Sequence, residues 1–493
     1  RERFMFVYVI DVGTSSMRGI LYNERAEVLM KHSIIRRPEY LGNGRVEEDP
    51  ADWRDGLLVL LKVLADYCAS EGITPDAISL TAQGSSVIPL DKEGVPLAPA
   101  IMWQDKRTAV YEERLEKYND IIFSKAGSRI NPVFSACKMT WIKENERELY
   151  EKAYKLAVIP DYLTWLMTGN FYTDYTYGSR SLLMNLRDCC WDEELLKIFQ
   201  VDEVKLCELV APGSMMGGLL PSLAASVGLP AGIPVISAGG DQQCAALGLG
   251  ILHNGEVEIT TGTGAFLLAG IDSLPAGVKP HVICSASAVP GRYLLESSVL
   301  TCCSAFDWFL RSFYPECDSS DYSTINREVS EAAGTPIIAL PYFQGRATPD
   351  WNSRAEASFH HVTLAASRGE FARAILEGIC HEIDSNLSIV RSYTGGIRAV
   401  RICGGLTKNP VFPQMEADIL GEPVCLFSNE EATALGAWIQ GAMALKAFTD
   451  YPHAFSASRR NDTAKVYMPD EERKEFYEKK QKEFEELYGR LYA

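Results

Sequence analysis

The chain has 493 residues, 47% hydrophobic and 23% charged, with a formal net charge of −17. That length exceeds one ordinary core and predicts two large domains. The acidic balance repels phosphate backbones and anionic headgroups, so neither nucleic acid nor a membrane is an expected partner.

Arg1–Phe6 leads directly into a strand pattern and leaves no room for a signal peptide. Phe4–Ile10 reads as a strand, Asp11–Arg18 as a polar turn and Gly19–Tyr22 as the returning strand. Asp49-Pro50-Ala51-Asp52 reads as a helix start: Asp49 can cap, Pro50 fits the first helical position, and Trp53, Leu57, Leu60, Leu61 and Leu64 follow at helical spacing. Ile78–Thr81 and Val87–Leu90 are short strands, so strands and helices alternate as in an α/β protein. Pro234–Ser237 reads as a buried strand that ends in Gly239-Gly240-Asp241, with a small-residue helix over Cys244–Leu249. Glu256–Thr260 and Phe266–Ala269 form a second strand–turn–strand unit around Gly262-Thr263-Gly264, similar to the unit at Asp11–Ser16. Two such units half a chain apart predict two related domains, 1–247 and 248–493. Gly369–Ser392 reads as a long helix, Arg401–Cys403 as a strand entering Gly404-Gly405, and a helix follows through Gln414 and Asp418. Ala434–Leu445 is the most apolar run but falls short of about 20 residues and contains Gln440, so it reads as a buried helix. In the charged segment Glu471–Leu491, the stripe Phe476, Phe484, Leu487 and Leu491 predicts a surface helix packed by one face. The 13 cysteines have no CxxC spacing and read as reduced thiols of a cytoplasmic protein, not as a metal site or a disulfide framework.

Several of these segments can carry chemistry. The Asp11 turn offers N–H groups near Gly13, the hydroxyls of Thr14 and Ser15, and the cation Arg18, which together suit a phosphate. Asp11 can hold Mg²⁺, which favours carboxylates plus water. An ordinary polar hairpin explains the turn equally well. Gly262-Thr263 and Gly404-Gly405 allow close backbone approach, and a plain helix-entry turn competes with that reading. Asp241 is the sharpest candidate, because a positioned carboxylate can take the proton of a sugar hydroxyl. A helix cap is its bland alternative. Gln83, Trp103, Gln104, Asp105 and Phe266 lie beside strand ends, where polar groups bind hydroxyls and a ring packs on carbon, or where both merely pack and cap. His360, His361 and His381 show no ligand spacing. There is no Walker A sequence and no strand-linked GxGxxG.

Taken together, DVGTSSMRG at 11–19, PAIMWQDKRT at 99–108, GGDQQCAALG at 239–248, TTGTGAF at 260–266, GGLTKNPVFPQMEADILGEPV at 404–424 and EEATALGAW at 430–438 resemble the FGGY family of carbohydrate kinases. The resemblance runs in the family's order through nearly the whole chain. It implies an α/β protein of two actin-like ATPase (ribonuclease H-like) domains facing across a cleft, with ATP and Mg²⁺ as cofactors. It implies Asp241 as the catalytic base and Asp11 with Asp241 at the metal. Gly13, Thr14, Ser15 and Arg18 would face the transferred phosphate, Gly262 and Thr263 the nucleotide phosphates, and Gly404, Gly405 and Asn409 the adenosine. Gln83, Gly84, Ser85, Trp103, Asp105, Gln242 and Phe266 would line the substrate. A homodimer is compatible with it.

The substrate side departs from the best-known members. Glycerol kinases carry Arg-Glu where this chain has Gly84-Ser85 and Tyr where it has Val133, and xylulokinases carry Met-His at Gly84-Ser85. The missing donors disfavour glycerol. The expected acceptor is a ketopentose such as xylulose, with another polyol or a sugar acid as the alternative. A non-catalytic sugar or nucleotide sensor on the same fold is the competing class, and the presence of both Asp11 and Asp241 argues against it. A dehydrogenase lacks its glycine fingerprint here.

Overall fold

A computed structural model gives the fold and describes residues 5–275, 277, 282–315 and 322–492. Two compact units divide the chain. Unit 1 comprises Arg1–Leu252, Cys284–Tyr293 and Glu431–Asn461, and unit 2 comprises His253–Ile283, Leu294–Glu430 and Asp462–Ala493.

Unit 1 is built on β1 (Val7–Val12), β2 (Ser16–Tyr22), β3 (Val28–Ile35), β4 (Ala77–Ala82), β5 (Met215–Gly218) and β6 (Pro234–Gly240), in the spatial order β5–β6–β4–β1–β2–β3. β1, β4 and β6 run parallel, while β2, β3 and β5 pair antiparallel with their neighbours. Every residue of β1 is buried, because its two faces enter two cores. Tyr8, Ile10 and Val12 pack with Leu57, Leu60, Leu61 and Leu64 of the Pro50–Glu71 helix. Val7 and Val9 pack with Ala434, Leu435 and Trp438 of the Ala432–Ala444 helix. This is the period-2 alternation of a strand covered on both sides. Full burial of each such aliphatic side chain contributes about 1.5–3 kcal/mol. The Pro50–Glu71 helix begins as its sequence predicts: Asp49 accepts a hydrogen bond from the Ala51 N–H, and Pro50 occupies the first turn.

Unit 2 repeats the plan. β7 (Glu256–Thr261), β8 (Ala265–Ile271), β9 (Tyr293–Val299), β10 (Ala399–Gly404), β11 (Val424–Phe427) and β12 (Ala464–Tyr467) lie in the order β9–β8–β7–β10–β11–β12. β7 pairs antiparallel with β8 and parallel with β10, and β12 closes the sheet antiparallel to β11. Read from its hairpin side, unit 1 has the same arrangement, so the two Gly-Thr turns occupy equivalent places. The Arg368–Thr394 helix starts in a capping box between Ser367 and Glu370.

Three sequence expectations shift in detail. The first turn shrinks to Gly13–Ser15, because Asp11 is a strand residue opposite Arg18. Phe4, counted in that strand, lies outside the described residues. The helix after β6 starts at Asp241 itself and runs to Gly248. The Glu471–Tyr492 helix does pack by one face, but through Tyr477, Lys480 and Phe484; Phe476 and Leu491 are exposed. Lys480 is drawn inward by Glu377, which also takes Arg373. Among the described residues no helix is long and apolar enough to cross a membrane.

Candidate active site

In unit 1 the chemistry-bearing side chains gather at the carboxyl ends of the three parallel strands. Asp11 lies near the end of β1, Gln83 follows β4, and Asp241 follows β6. The register ties them: Val12 faces Ala82, Ala82 faces Gly240, and the Gln83 N–H donates to the Val12 carbonyl at 2.7 Å. Carboxyl ends of parallel strands are where α/β sheets hold ligands.

Asp241 opens its helix without capping it. Gly240 is the residue before the helix, and the Asp241 carboxylate accepts its neighbour's Gln242 N–H at 2.8 Å. Burial and the charge of Asp11 push its carboxyl up to about 6, against the Gln242 N–H and the Arg180 cation. Asp11 is also raised by burial, although Arg18 pulls the other way. The Arg18 guanidinium donates to Asp11 through one nitrogen and to Glu431 through another, the latter at 2.8 Å.

Around this pair, the Thr14 hydroxyl donates to Gln83 at 3.2 Å and accepts from the Trp103 indole at 3.3 Å. Among the described residues the buried Gln83 side-chain nitrogen has no hydrogen-bond partner. Gly13 has room for close approach, since a Cβ there would meet only the Ser16 carbonyl at 3.6 Å. Ser15 is exposed. Ser85 is held at a φ of 70° with its hydroxyl on the Arg180 carbonyl, and a Cβ at Gly84 would touch the Tyr177 ring at 3.4 Å. Asp105 is buried and saturated: it accepts from the Val46 N–H and from the backbone and guanidinium of Arg107. Its geometry shapes the turn behind Trp103.

The segment Asp174–Arg180 organises this site and has no motif of its own. The Thr176 hydroxyl accepts the Gly240 N–H at 2.8 Å. Tyr177 donates to the Gly239 carbonyl at 2.9 Å and accepts the Ala82 N–H at 3.0 Å. Asp174 accepts from Ser237 and from Thr176. One short stretch thus ties the Gln83 loop to the Asp241 turn. Arg180 adds a contact to Gln242 at 3.4 Å and stacks over Phe134 at 5.4 Å. Sequence reasoning passed over these residues; the run Thr-Asp-Tyr-Thr-Tyr-Gly-Ser-Arg carried no signal beyond its polarity.

In unit 2 the two glycine turns are neighbours at the ends of β7 and β10, where Thr261 pairs with Gly404. Gly404 has a φ of 101°, and a Cβ there would lie 2.1 Å from the Thr261 carbonyl oxygen, so only glycine fits. The Gly262 and Thr263 carbonyls accept from the N–H groups of Cys303 and Cys302 at 2.9 and 2.8 Å. The Cys303 sulfur sits 3.0 Å from where a Gly405 Cβ would be. Asn409 donates to Asn326 at 3.1 Å and accepts the Val411 N–H at 2.9 Å. Phe266, on β8 of this unit, is 47% exposed.

Residues 6–248 match the N-terminal domain of the FGGY family of carbohydrate kinases, and residues 257–445 match its C-terminal domain. A glycerol kinase of Thermus brockianus is 32% identical over 454 residues, covering 88% of this chain and 89% of that one. The structure of Plasmodium falciparum glycerol kinase with ADP superposes with a TM-score of 0.90 at 27% identity, over 99% of both chains. Xylulose kinase from Rhodospirillum rubrum shares the fold, with a TM-score of 0.91 at 23% identity over 99% of both. With both domains matched, and with the repeated sheet plan and the strand-end carboxylates in place, the chain belongs to the FGGY family of carbohydrate kinases, phosphotransferases that take an alcohol group as acceptor.

Proposed function

We propose that this kinase phosphorylates a hydroxyl of a small sugar or polyol larger than glycerol, with ATP as donor, Mg²⁺ as metal and Asp241 as general base. The observation that carries the reading is Asp241 at the end of β6, beside Asp11, with its carboxyl pushed up to about 6. A base so placed is ionised near neutral pH yet still holds a proton well enough to draw it from the attacking hydroxyl. Residues 1–247 would hold sugar and transferred phosphate, and residues 248–493 the nucleotide.

The donor set fits the metal. Among the described residues no group of three or more His, Cys, Asp or Glu is placed to hold an ion. The charge of Asp11 helps raise the Asp241 carboxyl, and a two-carboxylate site suits Mg²⁺ that shares its sphere with phosphates and water. Asp11 and Asp241 would hold the ion, whose chemistry is to neutralise phosphate charge. Gly13, Thr14, Ser15 and Arg18 would orient the transferred group, while Gly262, Thr263, Gly404, Gly405 and Asn409 would take the nucleotide. The chain's own part in the reaction is alignment and proton removal.

Substrate choice follows from the positions where the best-known family members carry donors. Gly84 has no side chain, Ser85 spends its hydroxyl on the Arg180 carbonyl, and Val133 is apolar. Gln83, Trp103 and Gln242 remain to meet hydroxyls and carbon. The lack of donors at Gly84 and Val133, with the Ser85 hydroxyl already engaged, supports a ketopentose such as xylulose, or another polyol or sugar acid. Glycerol is the second reading, favoured by the name of the 32% identical relative. The test is ADP release by the purified protein with MgATP across ketopentoses, four- to six-carbon polyols, aldonic acids and glycerol. A longer acceptor should exceed glycerol in kcat/KM by at least about tenfold. Preference for glycerol would overturn the substrate reading, and ADP release independent of every acceptor would overturn the kinase reading.

A further inference from the structure

The run EEATALGAW at 430–438 carries the family resemblance, yet none of its side chains has a role in the chemistry above. Glu431 stands immediately before the Ala432–Ala444 helix. Its Oε2 accepts from Arg18 Nη1 at 2.8 Å, and its Oε1 accepts from the Lys31 ammonium. Arg18 is on β2 and Lys31 on β3, so one carboxylate gathers cations from adjacent strands.

We infer that Glu431 is a positioning residue that fixes the Arg18 guanidinium at the phosphate loop. The inference rests on the reading that Arg18 faces the transferred phosphate. Arg18 is directly opposite Asp11 in the β1–β2 register, and its second nitrogen donates to Asp11. A guanidinium held by one carboxylate can turn about that bond. Held by two carboxylates through different nitrogens, its plane is fixed, and this is the use of the rigid arginine fork that lysine cannot copy.

Glu431 itself is anchored from behind. The helix it precedes crosses the Asp241–Gly248 helix so closely that a Cβ at Gly436 would lie 1.8 Å from the Cys244 carbonyl oxygen. The same helix pair therefore fixes both Asp241 and the carboxylate that orients Arg18. Charge also balances locally: Asp11 and Glu431 against Arg18 and Lys31. Neutralising Glu431 leaves Lys31 without that partner and frees one end of Arg18. The adjacent Glu430 pairs instead with Lys408, at 3.6 Å, both side chains well exposed, so two neighbouring acids differ in role.

The test compares Glu431→Gln, Glu431→Asp, Arg18→Lys and the Arg18→Lys/Glu431→Gln double variant, with Glu430→Gln as the neighbour control. Steady-state ADP release is measured against both ATP and the best acceptor. Glu431→Gln should lower kcat at least tenfold with the acceptor KM unchanged, and Glu431→Asp should restore part of the loss. In the Arg18→Lys background, Glu431→Gln should cause no further loss, because its effect passes through the arginine fork. Glu430→Gln should match the wild type. Wild-type kcat in Glu431→Gln, or losses that multiply in the double variant, would overturn the inference while leaving the kinase reading intact. Should Glu431→Gln misfold, Glu431→Asp decides, since it keeps the charge but cannot span both cations; an unchanged kcat there would count against the inference. No acceptor-dependent ADP release by the wild type would overturn the kinase reading itself, and the inference with it.

Discussion

Gly436→Ala probes how the base is held. Gly436 faces the Asp241–Gly248 helix, and an added Cβ would sit 1.8 Å from the Cys244 carbonyl oxygen; the reciprocal Cβ at Gly248 would sit 1.9 Å from the Ala432 carbonyl oxygen. Carbon–oxygen contacts normally begin near about 3.3 Å, so the helices must part by roughly 1.5 Å. Backbone blocks the way on both sides, so no side chain can swing aside. Overpacking of this kind costs about 1–3 kcal/mol or more. The displaced helix begins with Asp241, and a misplacement of about 1 Å at a reacting group costs about 10²-fold in rate. Thermal unfolding and steady-state ADP release are the assays. The expected variant melts several degrees lower and loses about 10²-fold in kcat/KM. Gly489→Ala is the control: among the described residues nothing lies within 4 Å of its Cβ position, so it should be neutral or stabilise by about 0.5–1 kcal/mol. Wild-type stability and turnover in Gly436→Ala would refute the close-approach argument.

Further predictions follow from single groups. kcat/KM should rise with pH through about 6 and then level, because Asp241 must lose its proton to act and burial with Asp11 raises its carboxyl to that range; a profile flat from pH 5 to 8 would count against it. Glu416 is buried with neither oxygen bonded among the described residues, and burial pushes it up to about 8. The folded state therefore holds this proton where the unfolded chain has released it, so this group's contribution to stability is full below about pH 4.5 and declines by about 1.4 kcal/mol per unit up to about 8. Glu416→Gln should lessen the difference between denaturant melts at pH 5 and pH 8. Cys303, beside Gly405 and with its thiol lowered by its contact with Cys302, should be alkylated by iodoacetamide more slowly when ATP is present; equal labelling rates would contradict nucleotide at these turns.

Much of the architecture was legible because local chemistry and the fold agree. Asp49-Pro50 marks a helix start wherever it occurs before an apolar 3.6-residue pattern, and the all-apolar β1 follows from burial on both faces. Asp241 was legible for a similar reason, since two glycines and an acid after a buried strand leave few other readings. What escaped depends on register across long separations. Asp11 was placed in a turn, yet its pairing with Arg18 and Thr81 makes it a strand residue. Thr176 and Tyr177 act on Gly239, Gly240 and Ala82 through contacts that span 62 to 95 residues, and no local pattern announces such a partner. The exposed Phe476 and Leu491 show the same limit: a helical stripe was right in period, but the buried Glu377 charge pulled Lys480 and Tyr477 to the inner face instead.

The most direct test of the central claim is Asp241→Asn, which keeps shape and the Gln242 N–H bond but removes the proton acceptor. With MgATP and the best acceptor, acceptor-dependent ADP release should fall about 10²–10⁴-fold, while ADP affinity by calorimetry and the melting temperature stay at wild-type values or above. Turnover within a few-fold of wild type would show that Asp241 is not the base.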